Sequence, residues 1–426
     1  MQNIKPISLF LGILIVISLI FVRDIANVSI QGPIIAGFST LFAIFMNKRN
    51  MYSFAYFLLP LSVGIPGYVF LLLGLILLIR QSRTNVSQFF PFFILSSLEV
   101  LNVMDYDFQY DISGIVSFLS FLLLFFLMIF SNDENIDRKE SLICYSIGVM
   151  FSLAVVYFRI IIDNGFAELI AGELRSGAGM GDYDAEQMMN HLMMNANCIA
   201  YYAIVLISIA FVFMSKQLIK KSVVCLMILV GVISGLLSFS RTWMVLFTMV
   251  MIWYIYSNIR NVKSIVSFIV IGLVILSVGI YSGLLDGILE VFEYRMENDN
   301  VESAGGRFPL FEAYNKVITN NLFYTLFGTG ATYYKQVCQI WNSVHNGTQQ
   351  IFVSFGLVGI VTYILVVLDF TKKYITFRVS DNLILFAPFI ACFIFVQSIQ
   401  FLNPYPLMLP FVAAACMIRI NEKKYV

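Results

Sequence analysis

The chain holds only two histidines, His191 and His345, and both fall in the two longest polar stretches of a strongly apolar sequence. Neutral imidazole is the side chain best suited to accept a proton near pH 7. His345 stands in SVHNGTQQIFVSFGLVGI, just before an apolar run. The competing reading is an interfacial residue that caps or anchors the next helix. Arg307 follows Gly305-Gly306 and precedes FPLFEAYNKVITN, where Leu310, Phe311, Tyr314, Val317 and Ile318 recur at helical spacing. Pro309 suits a first helical turn, so a short amphipathic helix on the membrane surface is expected. An arginine there, with free backbone N–H groups beside it, makes an anion site; contact with lipid phosphate is the plain alternative. Arg241 in LLSFSRTWMVLF lies between two apolar runs with almost no loop. A charge so placed faces a cavity or snorkels to the headgroups.

Weaker candidates surround these. Glu99 and Arg159 lie at similar depth in apolar runs, and a structural ion pair is the expected arrangement. The stretch 163–195 carries Arg175, Asp182, Asp184, Asn195 and Asn197. Asp182 with Asp184, and Asp105 with Asp107, have the D-x-D form that binds divalent metals in some transferases. Such pairs are common in polar loops, so no metal is expected, and His191 reads as a loop residue rather than a ligand.

Positioning these residues falls to membrane helices. Of the 426 residues, 60% are hydrophobic and 12% charged, against about 25% charged in a soluble domain; mean hydropathy is +0.87. Apolar runs recur from Ile7–Val22 to Tyr405–Ile418, many long enough to cross about 30 Å of hydrocarbon as a helix. Stretches such as LLLLFFLMIF lack the alternation of a barrel. An all-α polytopic bundle of 12–14 crossings, one membrane domain over 1–426, is the expected fold. Met51–Ile79, broken by Pro60, Gly64, Pro66 and Gly67 between basic flanks, must cross twice or dip and return.

Lysine and arginine in the short loops set orientation. Lys216, Lys220, Lys221, Arg260, Lys263, Lys372, Lys373 and the tail with Arg419, Lys423 and Lys424 are expected on the cytoplasmic side. That puts a smaller loop, 163–195, and a larger one, 286–347, outside. Net charge is +1, which points to no nucleic acid or acidic partner, and no nucleotide-binding motif is present. ATP-driven pumps and ordinary nucleotide-sugar transferases are disfavoured accordingly. The six cysteines follow no disulfide or metal spacing and read as small hydrophobes.

Taken in order, these pieces resemble the O-antigen polymerase and ligase superfamily. The pattern is Asn195-Ala196-Asn197 entering a helix, then Ser240-Arg241-Thr242 at a tight turn, then Gly305-Gly306-Arg307. Phe327-Gly328-Thr329-Gly330 and His345-Asn346 before a glycine-bearing helix complete it. The resemblance spans about 175–359. Family members often carry aspartate–proline where this chain has Asn195-Ala196.

The resemblance implies a GT-C-like bundle in a bacterial cytoplasmic membrane. It implies inverting, metal-independent and cofactor-free transfer of a glycan from undecaprenyl diphosphate. His345 would be the general base, and Arg241 and Arg307 would hold the leaving diphosphate. Arg159, Arg175, Asn197, Gly306, Tyr314 and Asn346 would contact substrate, and a chain-length regulator and a flippase are the expected protein partners. A polymerase, which extends a lipid-linked repeat unit, is favoured over a ligase, which transfers to lipid A-core. Two rivals come from other classes: a transporter, with charges or broken helices at mid-membrane, and a metal-dependent transferase using Asp105 and Asp107.

Overall fold

The computed structural model describes residues 5–80, 89–104, 112–130, 136–165, 191–192, 194–258, 307–374, 383–402 and 406–420, with scattered helical positions between 266 and 293. Arg175, Gly305, Gly306, Asp105, Asp107, Asp182 and Asp184 lie outside the described residues, as does most of 163–195 and the first third of 286–347. Among the described residues there are helices and no strand. The helices are α1 (Lys5–Asp24), α2 (Gly32–Phe45), α3 (Lys48–Leu58), α4 (Gly67–Arg80), α5 (Phe90–Met104), α6 (Ile112–Ile129), α7 (Arg138–Asn164) and α8 (Ala196–Lys216). They continue as α9 (Lys221–Leu237), α10 (Arg241–Ser257), α11 (Arg307–Thr319), α12 (Leu322–Phe327), α13 (Tyr334–Cys338), α14 (Gly347–Tyr374), α15 (Ala387–Val396) and α16 (Pro410–Ile418).

Five of these are long and apolar enough to cross a membrane: α1, α6, α7, α8 and α14. Several shorter apolar helices accompany them, so the chain is a multi-pass membrane protein. The centre is α8, whose CIAYYAIVLISIAFVF is apolar on every side, as a helix surrounded by helices must be. It is 89% buried, against 33% for the peripheral α1. α9, α10, α15, α7 and α16 pack around it.

The Met51–Ile79 segment doubles back on itself as two short helices. α3 and α4 are joined by a 3-10 turn at Leu59–Leu61 and bends through Gly64. Both basic ends return to one side, where Arg80 donates to the carbonyls of Met46 and Ile44. Arg49 meets Asp137 and Glu140 there, at 2.6 Å each. Arg138 donates to the carbonyl of Arg419 at 3.0 Å, which brings the end of α16 to the same side.

The opposite end gathers the remaining polar groups. Arg23 forks onto Asp24 at 2.7 and 2.8 Å and donates to the Gly64 carbonyl. Asp24, fully buried, also accepts from Leu192 N–H and lies 2.9 Å from His191 Nδ1. Gly67 abuts Ser117 near the start of α6, and Gly114 abuts Thr332. The stretches before α8 and before α14 therefore reach the same end of the bundle.

Candidate functional site

The described part of the larger loop has a core of its own. Tyr314 and Ile318 of α11 are fully buried against Tyr334 and Cys338 of α13, with Val344 and Val353. The Tyr314 and Tyr334 rings stand 5.8 Å apart, and the Tyr314 hydroxyl donates to the carbonyls of Ile340 and Asn342. α11 is the helix that the spacing of Leu310, Phe311 and Tyr314 predicts. Its deepest side chains are covered by α13 and the 340–344 segment rather than left to face lipid. Tyr314 thus serves as a pillar of this small core.

That core brings three chemically active groups together. It holds α11, whose first residue is Arg307; α13, which carries Lys335 next to Tyr334; and Val344, which precedes His345. The His345 Nδ1 atom is buried and has no hydrogen-bond partner. Burial first, then the positive charges of Arg307 and Lys335, lower the His345 pKa from 6.5 to about 4. The imidazole is therefore neutral at pH 7, one ring nitrogen protonated and the other free to accept, with two cations beside it. Burial also lowers the pKa of Lys335. Sequence reading missed Lys335; its one visible signal is a lone cation in a short helix whose neighbours Tyr334 and Cys338 are core residues.

The Phe327–Gly330 turn is held by hydrogen bonds inside the bundle. α14 is interrupted at Gly356, where φ is 60° and ψ is −153°, and the turn docks on this break. Thr329 and Gly330 donate their N–H groups to the carbonyls of Val353 and Ser354, at 3.0 and 2.9 Å. A Cβ on Gly328 would lie 2.2 Å from the Ser354 carbonyl carbon, and one on Gly356 would lie 2.5 Å from that of Leu326. The two glycines let two backbones touch, and both hold positive φ, which side chains disfavour. Glu99 of α5 accepts the next two amides, Ala331 at 2.6 Å and Thr332 at 2.9 Å. Asn102 donates to the Phe327 carbonyl. Buried backbone amides must find partners within the protein.

Glu99 is thus a clamp on backbone N–H groups and not the partner of Arg159. Arg159 instead faces Asp163, one turn further along α7, at 3.4 Å. The sequence favours an ion pair because charges are visible in it, whereas backbone donors are not.

Other candidates are placed separately. Asn346 accepts from Gln349 N–H, capping α14, and donates to the Gln397 carbonyl at 3.0 Å. Asn195 caps α8 by accepting from Cys198 N–H, and Asn197 lies in the first turn of that helix. Arg241 follows Ser240, the N-cap of α10. Trp253, near the other end of α10, donates to the Leu383 carbonyl, so α10 and α15 run antiparallel. Arg241 therefore shares an end with Gln397 and Asn346, but it is not among the charges acting on His345. Between α5, α6, α14, α15 and α16 runs a cleft lined by Leu95, Phe125, Phe126, Phe355, Phe393 and Phe411.

No family model matches the chain. No curated protein matches it either.

Proposed function

We propose that this protein is a membrane glycosyltransferase of the O-antigen polymerase type, which moves a growing glycan from a polyprenyl diphosphate onto a lipid-linked repeat unit. The observation that carries the reading is His345: an imidazole kept neutral by burial and by the charges of Arg307 and Lys335, with a buried Nδ1 that has no partner. A base and a cationic anion-binder side by side are what this transfer requires. The acceptor hydroxyl oxygen attacks the anomeric carbon, and its proton passes to the imidazole. The bond from that carbon to the diphosphate oxygen breaks, and the electron pair leaves with the diphosphate. Positive, preorganised groups stabilise the charge that develops there. Arg307 and Lys335 are the groups assigned to that task; Arg241 shares that end of the bundle without being among the charges acting on His345.

Depressed basicity makes an imidazole a weak base when alone. A diphosphate seated between Arg307 and Lys335 would offset both charges and strengthen it, so that loading the donor readies the base. The Phe-lined cleft suits an isoprenoid tail. Its void is only about 80 Å³, so the helices must part to admit one. The loop-bearing end is read as the outer one, in a bacterial cytoplasmic membrane, with the end carrying Arg49, Arg80, Arg138 and Lys220 inside.

The break at Gly356 is what a transporter would display at mid-membrane. Here the protein's own turn occupies it, with its amides partnered, which favours a fixed scaffold over an ion path.

The test is complementation of a deletion strain. His345→Ala should insert normally and yield no long-chain polysaccharide on a gel; a normal ladder would remove His345 as the base. A deletion strain with single repeat units on lipid A-core fits the polymerase, while bare core with free lipid-linked polymer fits the ligase.

A further inference from the structure

Beside the cationic cluster lies a second recess of different character. It has a volume of about 470 Å³, within the range of pockets that hold small organic ligands. It is bounded by α11, the first turns of α14 and the residue that closes α15. Among the described residues, no charged side chain lines it. Its polar groups are amides and one hydroxyl, and hydrogen bonds already hold them in place. Thr348 donates to Gln397 Oε1 at 2.9 Å, while Gln349 Nε2 donates to the Phe311 carbonyl at 3.0 Å and reaches Asn315 Oδ1 at 3.3 Å. One acceptor is left over: Gln349 Oε1 is shielded from solvent and has no partner. The Phe311 and Phe352 rings supply apolar walls.

A diphosphate finds no cationic partner among these residues. A neutral sugar does, since its hydroxyls pair with fixed amides and its C–H faces lie on aromatic rings. An unpaired amide oxygen is a cost that a donated hydroxyl would remove once the Gln349 side chain turns it into the recess. The recess also includes Asn346, the residue after His345. We infer that this recess is the subsite for the uncharged acceptor sugar, with Gln349, Asn315 and Phe352 as its recognition residues. The inference rests on the glycosyl-transfer reading for the word acceptor, but the recess itself is read from its own chemistry.

Hydrogen–deuterium exchange of the full chain in nanodiscs tests it. The probes are methyl glycosides of glucose, galactose, mannose, rhamnose and N-acetylglucosamine, with inorganic pyrophosphate run separately. At least one glycoside should slow exchange across 311–315 and 346–352. Gln349→Ala and Phe352→Leu should each weaken that binding about tenfold, the factor for one lost contact of this kind. Should Gln349→Ala not fold, Phe352→Leu carries the comparison, because it keeps apolar volume and loses only the ring.

Protection by no glycoside, protection of the recess by pyrophosphate, or wild-type binding by the folded variants would each overturn the inference. Pyrophosphate should instead protect the segments around Arg307 and Lys335. If it protects nothing while a glycoside protects the recess, the sugar subsite stands and the diphosphate reading falls; the reverse result removes the subsite alone.

Discussion

At the scale of single residues, the proposed chemistry turns on how His345 is kept neutral. Burial and two cations hold its pKa near 4, so the acid limb of kcat/KM is expected near that value, well below the 6.5 of an ordinary histidine. Removing one cation relieves the penalty on the imidazolium. Lys335→Met should therefore move the acid limb to higher pH while lowering the rate, and a pH–rate profile of purified enzyme reads both effects. A slower variant with an unmoved limb would make Lys335 a scaffold residue. The same shift bears on stability. Because the folded pKa is depressed, His345 favours the folded state above pH 6.5 and loses that contribution as pH falls from 6.5 towards 4.

At the scale of elements, the apolar runs, the α3–α4 hairpin and the start of α11 near Pro309 were legible from composition and spacing alone. Each rests on a local pattern. Less legible were pairings between distant segments. Nothing in the residue types says that Gly328 will lie on Ser354, because the bonds there are backbone to backbone. Tyr314 reads as membrane-facing until Tyr334, twenty residues away, is seen to cover it. Two substitutions test the docked turn, with thermal unfolding in detergent as the measurement. Gly356→Ala places a Cβ against the Leu326 carbonyl at a positive φ and should cost at least about 2 kcal/mol. Glu99→Ala strands two buried amides and should cost about 2–5 kcal/mol. Wild-type melting of both variants would mean that the turn is not held as described.

At the scale of the whole molecule, the two ends of the bundle differ in kind. One gathers Lys48, Arg49, Arg80, Arg138 and Lys220 with their carboxylate and carbonyl partners. The other gathers the Arg23–Asp24–His191 cluster, the capped helix starts and the His345 site. Cysteines placed at the exposed Trp341 and Lys316 of the larger loop should react with impermeant maleimide from outside intact cells. One placed at Lys220 should react only after lysis. The opposite pattern would invert the orientation. The asymmetry was legible as a Lys/Arg bias before any coordinates. The buried Arg23–Asp24 pair was not, because adjacent opposite charges at a helix end look like ordinary surface residues.

The seam between Gly328 and Gly356 also limits how the bundle can move. Lifting that turn would leave four amides and the carbonyls of Val353, Ser354 and Phe327 without their partners, at a penalty of about 1–3 kcal/mol for each that stays buried. The loop is thus bolted rather than hinged; on the glycosyl-transfer reading, substrates would enter and depart by sideways parting of helices along the greasy flank, with the polar roof left closed.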